Sequence, residues 1–151
     1  MPRHSLILMT LMLAAFVGGC TEAAKVRLEA DQSRLKRGTA ERLVRERVEE
    51  FWDAVRWKDW ASASTYLEES TDQVRYLREK TGPAANSVAV DAVDIQYIFV
   101  DPNGFDVAEV RVGWNQSRPE EGILKPAQAT QRWYRHHSQW WLSPDSIFAS
   151  R

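Results

Sequence analysis

The sequence predicts an α+β domain in which helices pack on one face of an antiparallel sheet. Apolar residues at helical spacing occupy the stretch from Thr39 to Lys80. After Asn86 the composition changes to β-branched and aromatic residues in extended runs. The segment Asp101–Gly104 (DPNG) separates two of these runs, and its proline and glycine are typical of a tight turn. Helices followed by a meander of strands are the order of elements typical of an α+β domain.

Length and composition fit one domain and give no support to nucleic-acid binding. The 151 residues are 27% charged and 44% hydrophobic, which are ordinary values for a globular protein. Without residues 1–19, which contain Arg3, 19 basic residues remain against 21 acidic ones, a net charge of −2. This near-neutral balance provides no electrostatic basis for holding nucleic acid. Seven tryptophans would supply either core area or the lining of an aromatic pocket.

The N-terminus has the order of a secretory signal peptide. A short polar stretch precedes the apolar run Leu6–Val17, and two glycines follow. The run is shorter than the roughly 20 apolar residues of a membrane-spanning helix. The tetrapeptide Val17–Cys20 (VGGC) resembles a bacterial lipobox, which implies cleavage after residue 19 and lipidation of Cys20. We therefore expect residues 1–19 to be a lipoprotein signal peptide. The alternative is an ordinary secretory peptide with a chance cysteine.

The expected location is the cell envelope, with the membrane contacted through the N-terminal lipid anchor. Acyl chains such as palmitate on Cys20 would make this attachment effectively permanent. Cys20 is the only cysteine, so the chain forms no internal disulfide. An aspartate directly after the lipidated cysteine resembles the signal that keeps lipoproteins of enterobacteria in the inner membrane. This chain has Thr21 at that position and so lacks the signal. The periplasmic face of the outer membrane is therefore expected rather than the inner membrane.

Residues 20–39 are predicted to be the lipidated cysteine and a polar tether, and residues 40–151 the folded domain. Thr39 has the chemistry of a helix N-cap, and Gly38 argues against one continuous helix through the tether. Apolar residues then recur on one face of an amphipathic helix: Val44, Val48, Phe51, Trp52 and Val55.

Two shorter helices are predicted next. Lys58–Asp59 interrupts the first pattern, and residues 60–67 then have the spacing of a short helix. A third helix is predicted over Thr71–Lys80, with Val74 and Leu77 facing inward.

Four extended runs are predicted as the strands of one antiparallel sheet: Val88–Val100, Phe105–Asn115, Ala127–His137 and Trp140–Leu142. The first run is interrupted near Ala92. A tight turn at Ser138–Gln139 is expected to join the last two runs.

Three segments carry a resemblance to nuclear transport factor 2-like domains. The segment Val48–Trp60 (VEEFWDAVRWKDW) has an aromatic pair, a small residue and then a basic–acidic–aromatic turn, and it resembles the first helix of those domains. The segments Gln131–Arg135 (QRWYR) and Gln139–Leu142 (QWWL) resemble their last hairpin. The resemblance covers roughly residues 40–148.

The resemblance implies a curved antiparallel sheet wrapped around a long helix, forming a cone whose mouth can hold an apolar ligand. Many members of the family dimerise through the open sheet face, and some are enzymes. This chain departs from the pattern in its lipid anchor, in the turn His136–Ser138 where a glycine is usual, and in the long loop Arg118–Pro126.

The candidate pocket is defined by large aromatic side chains from both layers: Trp52, Tyr66, Tyr97, Trp114 and Trp133. The same side chains would serve equally well as hydrophobic core, and the sequence does not separate the two roles. No cofactor is predicted.

Catalytic and metal-binding roles have weaker support. Polar residues on the predicted strands are Asp91, Asp94, Tyr97, Arg111, Tyr134 and His136. Asp91 and Asp94 differ in parity and should face opposite ways unless a bulge near Ala92 intervenes. His136 and His137 are adjacent in a predicted strand, so their side chains should also face opposite ways, and no metal site is expected.

The function expected from the sequence is that of a lipid-anchored, non-enzymatic envelope protein. It would bind an apolar small ligand or a protein partner of the envelope. The first alternative is an enzyme of isomerase or dehydratase type that uses the same cone. The second is a structural subunit that forms a homodimer through its sheet face.

Overall fold

The computed structural model describes residues 4–82, 88–118 and 122–148, with side chains from Glu22 onward. Three helices and four strands follow in the predicted order, and a short last helix was not predicted. The elements are α1 (His4–Arg56), α2 (Trp60–Ser64), α3 (Ser70–Lys80), β1 (Ala89–Val100), β2 (Val107–Ser117), β3 (Lys125–His136), β4 (Gln139–Leu142) and α4 (Asp145–Phe148). The prediction of an α+β arrangement, with a helix packed against an antiparallel sheet, is confirmed.

The first helix is longer than predicted. α1 continues through Gly38 and Thr39, so the prediction of an N-cap at Thr39 is wrong. One glycine costs a helix about 1 kcal/mol relative to alanine, which strong helix formers on both sides can offset.

The chain divides into two compact units, Met1–Lys36 and Arg37–Arg151, and the described side chains of the first unit are all exposed. Among the described residues, no helical stretch combines the length and the apolar character of a bilayer-spanning segment.

The core of the second unit lies between α1 and the sheet. The predicted apolar face of α1 is buried, and Val44 and Val48 are fully inaccessible. Val110 and Val112 of β2 are fully buried on the sheet face that meets the helix, called the inner face below. The opposite face is called the outer face. Burial of this apolar surface is the main favourable free energy of the fold.

The two short helices close one side of this core. The Asp59 carboxylate caps α2 by accepting hydrogen bonds from the backbone N–H and the hydroxyl of Ser62, and both bonds hold the pKa of Asp59 below its ordinary value. In α3 the buried residue is Tyr76, whereas Val74 is 65% exposed, so the prediction that Val74 faces inward is wrong. The Tyr76 ring packs against Phe51 of α1 at a centroid distance of 6.4 Å, so this side of α3 is the one that meets the core.

The sheet is an antiparallel meander in the order β1-β2-β3-β4. Asp91 pairs with Asn115 and Asp94 with Gly113, so β1 carries one extra residue here. Ala92 has a φ of 48°, and the predicted interruption at this residue is confirmed as a bulge. A second irregularity follows between Ile95 and Tyr97. The first bulge places Asp91 and Asp94 on the same face, the outer one.

A two-residue turn joins β3 to β4. The turn residues are His137 and Ser138, with φ of 48° and 65°, one position earlier than predicted. Two successive positive φ values match the twist of the flanking strands. Along its other edge, β4 is held by a hydrogen bond from the Leu142 N–H to the Tyr66 carbonyl at 2.9 Å. The loop between α2 and α3 therefore lies directly beside this hairpin.

Candidate functional site

A cavity of about 470 Å³ lies between α1, α3 and the inner face of the sheet. Trp52 of α1 and Trp114 of β2 form one wall, with ring centroids 4.7 Å apart and planes inclined by 38°. Trp60 and Tyr76 line the side formed by the short helices. Aromatic side chains supply a third of the described lining residues. The volume lies in the range that small-molecule sites occupy.

Gln131 is the buried polar residue in this wall. It lies on the inner face of β3, is 4% exposed and lines the cavity. Its Oε1 atom accepts hydrogen bonds from the indole N–H groups of Trp52 and Trp133, each at 3.3 Å. Indole nitrogens only donate, so the amide oxygen must face the two tryptophans. The amide NH₂ group is then the part of Gln131 that remains for a ligand.

Charged groups are confined to one part of the cavity lining. Among the described lining residues the ionisable side chains are Tyr76, Glu79 and Lys80. Glu79 forms an ion pair with Arg75 at 3.3 Å. Burial raises the pKa of Tyr76 far above its ordinary value, so its phenol stays neutral at physiological pH.

The predicted pocket residues divide between three environments. Trp52 and Trp114 line the cavity, as described above. Trp133 is fully buried in the core, where its ring meets Phe51 edge-on at 6.1 Å. Tyr66 is buried beside Trp133, and its hydroxyl donates to Glu50 at 3.2 Å. Tyr97 lies on the outer face of the sheet and is 49% exposed.

The predicted lipid-attachment residue belongs to the first of the two units, Met1–Lys36. Cys20 falls within α1, but its side chain lies outside the described residues. Residues 1–3 of the predicted signal peptide are likewise outside the described ranges.

The polar strand residues considered for catalysis do not enter the cavity. Asp91, Asp94 and Arg111 are exposed on the outer face. Asp94 borders a second cavity of about 410 Å³, whose lining includes charged residues of α1: Arg45, Glu49, Asp53 and Arg56. Opposite charges are mixed along this lining, and no single charge sign dominates it.

A separate polar cluster lies at the β3–β4 turn. His137 occupies the turn and not a strand, so the prediction that it faces away from His136 is wrong. The positive φ of His137 brings its ring to 3.9 Å from the ring of His136, with planes inclined by 33°. The Nδ1 atom of His136 also hydrogen-bonds the Glu68 carboxylate.

Hydrogen bonds shift the pKa values of Glu68 and Tyr134 in this cluster. The contact with His136 is the main reason that the pKa of Glu68 lies below its ordinary value. The Tyr134 hydroxyl also bonds this carboxylate, and burial together with Glu68 raises the pKa of Tyr134 to about 12. Glu68 therefore stays ionised and Tyr134 protonated across the physiological pH range.

Sequence reasoning missed Gln131 and Glu68 for different reasons. The alternation of β3 places Gln131 inward, between Ala129 and Trp133, and a glutamine at an inward position is a detectable signal. Glu68 lies in a loop 68 residues before His136, and no local pattern relates the two.

No protein-family model matches the chain, and no curated protein matches it.

Replacing the shared acceptor should weaken the fold. We expect Gln131→Leu to lower the free energy of unfolding by about 2–6 kcal/mol, because two buried indole N–H groups lose their partner at about 1–3 kcal/mol each. Urea denaturation followed by circular dichroism measures the change. Gln128→Leu is the same substitution at an exposed position of β3. Its free energy of unfolding should stay within about 0.5 kcal/mol of that of the original chain. Equal effects of the two substitutions would contradict the role given to Gln131.

The Glu68 contacts should make stability depend on pH. The pKa of Glu68 is lower in the folded chain than its ordinary value of 4.5, so its contribution is present above that pH and is lost as the pH falls through the folded pKa. Glu68→Gln should therefore be less stable than the original chain at pH 7, and the difference should vanish in acid. Urea denaturation at pH 7 and at a series of pH values descending from 4.5 tests this, with Glu69→Gln as the neighbouring control. A difference that is independent of pH would contradict it.

Proposed function

We propose that this protein is a lipid-anchored protein of the cell envelope, and that its folded unit is a nuclear transport factor 2-like domain that binds an apolar small molecule. The observation that carries the binding role is the cavity walled by Trp52 and Trp114 with Gln131 beside them. Flat aromatic walls favour a ligand with a flat or hydrocarbon body. The amide NH₂ of Gln131 favours a ligand that carries a carbonyl or another acceptor group.

The polar groups of the cavity favour binding over catalysis. Acid–base chemistry needs ionisable groups close to each other and to the ligand. In the described lining, Glu79 is paired with Arg75, and burial keeps the Tyr76 phenol neutral. The acids of β1 lie on the outer face, away from this cavity. We therefore place the isomerase or dehydratase alternative second.

One observation favours the other alternative, a homodimer or an envelope partner on the sheet face. Tyr97 and Phe99 are both about half exposed on the outer face of β1. Their partners on β2 are Arg111 and Glu109, so the apolar area is small and flanked by charge. Extensive interfaces have a larger apolar centre, and the cavity remains the better-supported site.

Ligand binding can be tested with an apolar fluorescent probe. Anilinonaphthalene sulfonate combines a flat aromatic body with acceptor oxygens, and we expect it to bind the full chain with an increase in fluorescence. Ala129 lines the cavity, so Ala129→Trp should fill it and weaken binding at least about tenfold. Thr130→Trp places the same ring on the outer face and should leave binding unchanged. Equal affinities for the original chain and Ala129→Trp would exclude this cavity as the binding site.

The anchor can be tested separately, in a bacterial host that makes the full chain. Cys20 is the only thiol available for acylation, so Cys20→Ser should abolish incorporation of labelled palmitate and move the protein out of the membrane fraction. Thr21→Ser, a conservative change at the next residue, should behave like the original chain. Membrane fractionation that does not depend on Cys20 would disprove lipid anchoring.

A further inference from the structure

We propose that Glu68, His136 and His137 form a binding site for a divalent cation of the zinc class. One carboxylate oxygen and one nitrogen from each imidazole all lie within 4.8 Å of one another. Two histidines and a glutamate are a donor set that zinc accepts, with a fourth position left for water or another ligand. This site lies at the β3–β4 turn and does not depend on the proposed ligand cavity.

The backbone brings the two imidazoles together. Neighbouring residues in a strand would point to opposite faces, but the φ of 48° at His137 turns its side chain back onto His136. A non-glycine residue in this conformation costs about 1–2 kcal/mol. The ladder between β3 and β4 on either side of the turn holds the conformation in place.

Two hydrogen bonds hold the Glu68 carboxylate, and a backbone bond holds the loop that carries it. The backbone hydrogen bond from Leu142 to Tyr66 fixes the loop that carries Glu68 beside the hairpin. The Tyr134 hydroxyl and the His136 ring both hydrogen-bond the Glu68 carboxylate. Contacts of this kind orient ligands around bound metal ions.

The Glu68 carboxylate supplies the negative charge of the cluster. Glu69 and Asp72 add negative charge close to Tyr134, and Arg135 adds positive charge next to His136. With neutral imidazoles, the three ligands carry a net charge of −1, which a divalent ion more than compensates.

Small side-chain rotations would complete the coordination. Zinc bonds of about 2.0–2.1 Å place tetrahedral ligand atoms roughly 3.3 Å apart. The three candidate ligand atoms lie within 4.8 Å of one another, so they have to shift slightly to reach this spacing. His136 and His137 are exposed, so their rings can move by this amount without disturbing the core. The exposed position also leaves the fourth coordination site open to solvent.

Isothermal titration calorimetry of the full chain with zinc chloride at neutral pH tests the site. We expect one zinc ion per chain, and affinity at least about tenfold weaker in His137→Asn and in Glu68→Gln. Asparagine tolerates the left-handed backbone at position 137, so this variant removes the imidazole and keeps the turn. Circular dichroism shows whether each variant is folded. If His137→Asn does not fold, the comparison of Glu68→Gln with the original chain tests the site by itself.

The chain offers a matched control at Glu109, an exposed acid of β2 outside the cluster. Glu109→Gln makes the same change as Glu68→Gln and should bind zinc like the original chain. Absence of stoichiometric zinc binding would overturn the proposal. So would an unchanged affinity in Glu68→Gln, or a loss of binding in Glu109→Gln.

Discussion

The arrangement of this domain depends on one buried hydrogen-bond acceptor, the Oε1 atom of Gln131. It receives the indole N–H of Trp52 from α1 and that of Trp133 from its own strand. Apolar packing alone would tolerate small shifts of the helix along the sheet, whereas a shared acceptor between two buried donors permits few arrangements. Trp52, whose indole N–H makes this contact, also packs against Trp114 in the wall of the cavity.

Local departures from regular strand geometry decide which polar residues can act together. The bulge at Ala92 places Asp91 and Asp94 on the outer face, away from the aromatic cavity. The left-handed turn at His137 has the opposite effect, because it gathers two imidazoles beside a carboxylate from a distant loop. The inner face thus lines the aromatic cavity, and the hairpin carries the polar cluster.

Much of the fold could be predicted because its signals are local. The buried face of α1 follows from apolar spacing, and the strands follow from runs of β-branched and aromatic residues. The candidate site was predictable only in part. Trp52 and Trp114 line the cavity, whereas Trp133 and Tyr66 fill the core beside it and Tyr97 faces outward. Aromatic residues have the same composition signal in a core as in a pocket, so sequence could not divide them.

The sequence by itself determined the order of helices and strands, the apolar face of α1 and the interruption of β1, because each depends on neighbours within a few residues. Only the tertiary structure decided that Tyr76 and not Val74 turns inward, since the ring of Phe51 lies in another helix. It alone brought Glu68 to His136, because the loop and the hairpin meet through a backbone bond between Tyr66 and Leu142. Contacts between distant segments depend on packing in three dimensions, and no local spacing encodes them.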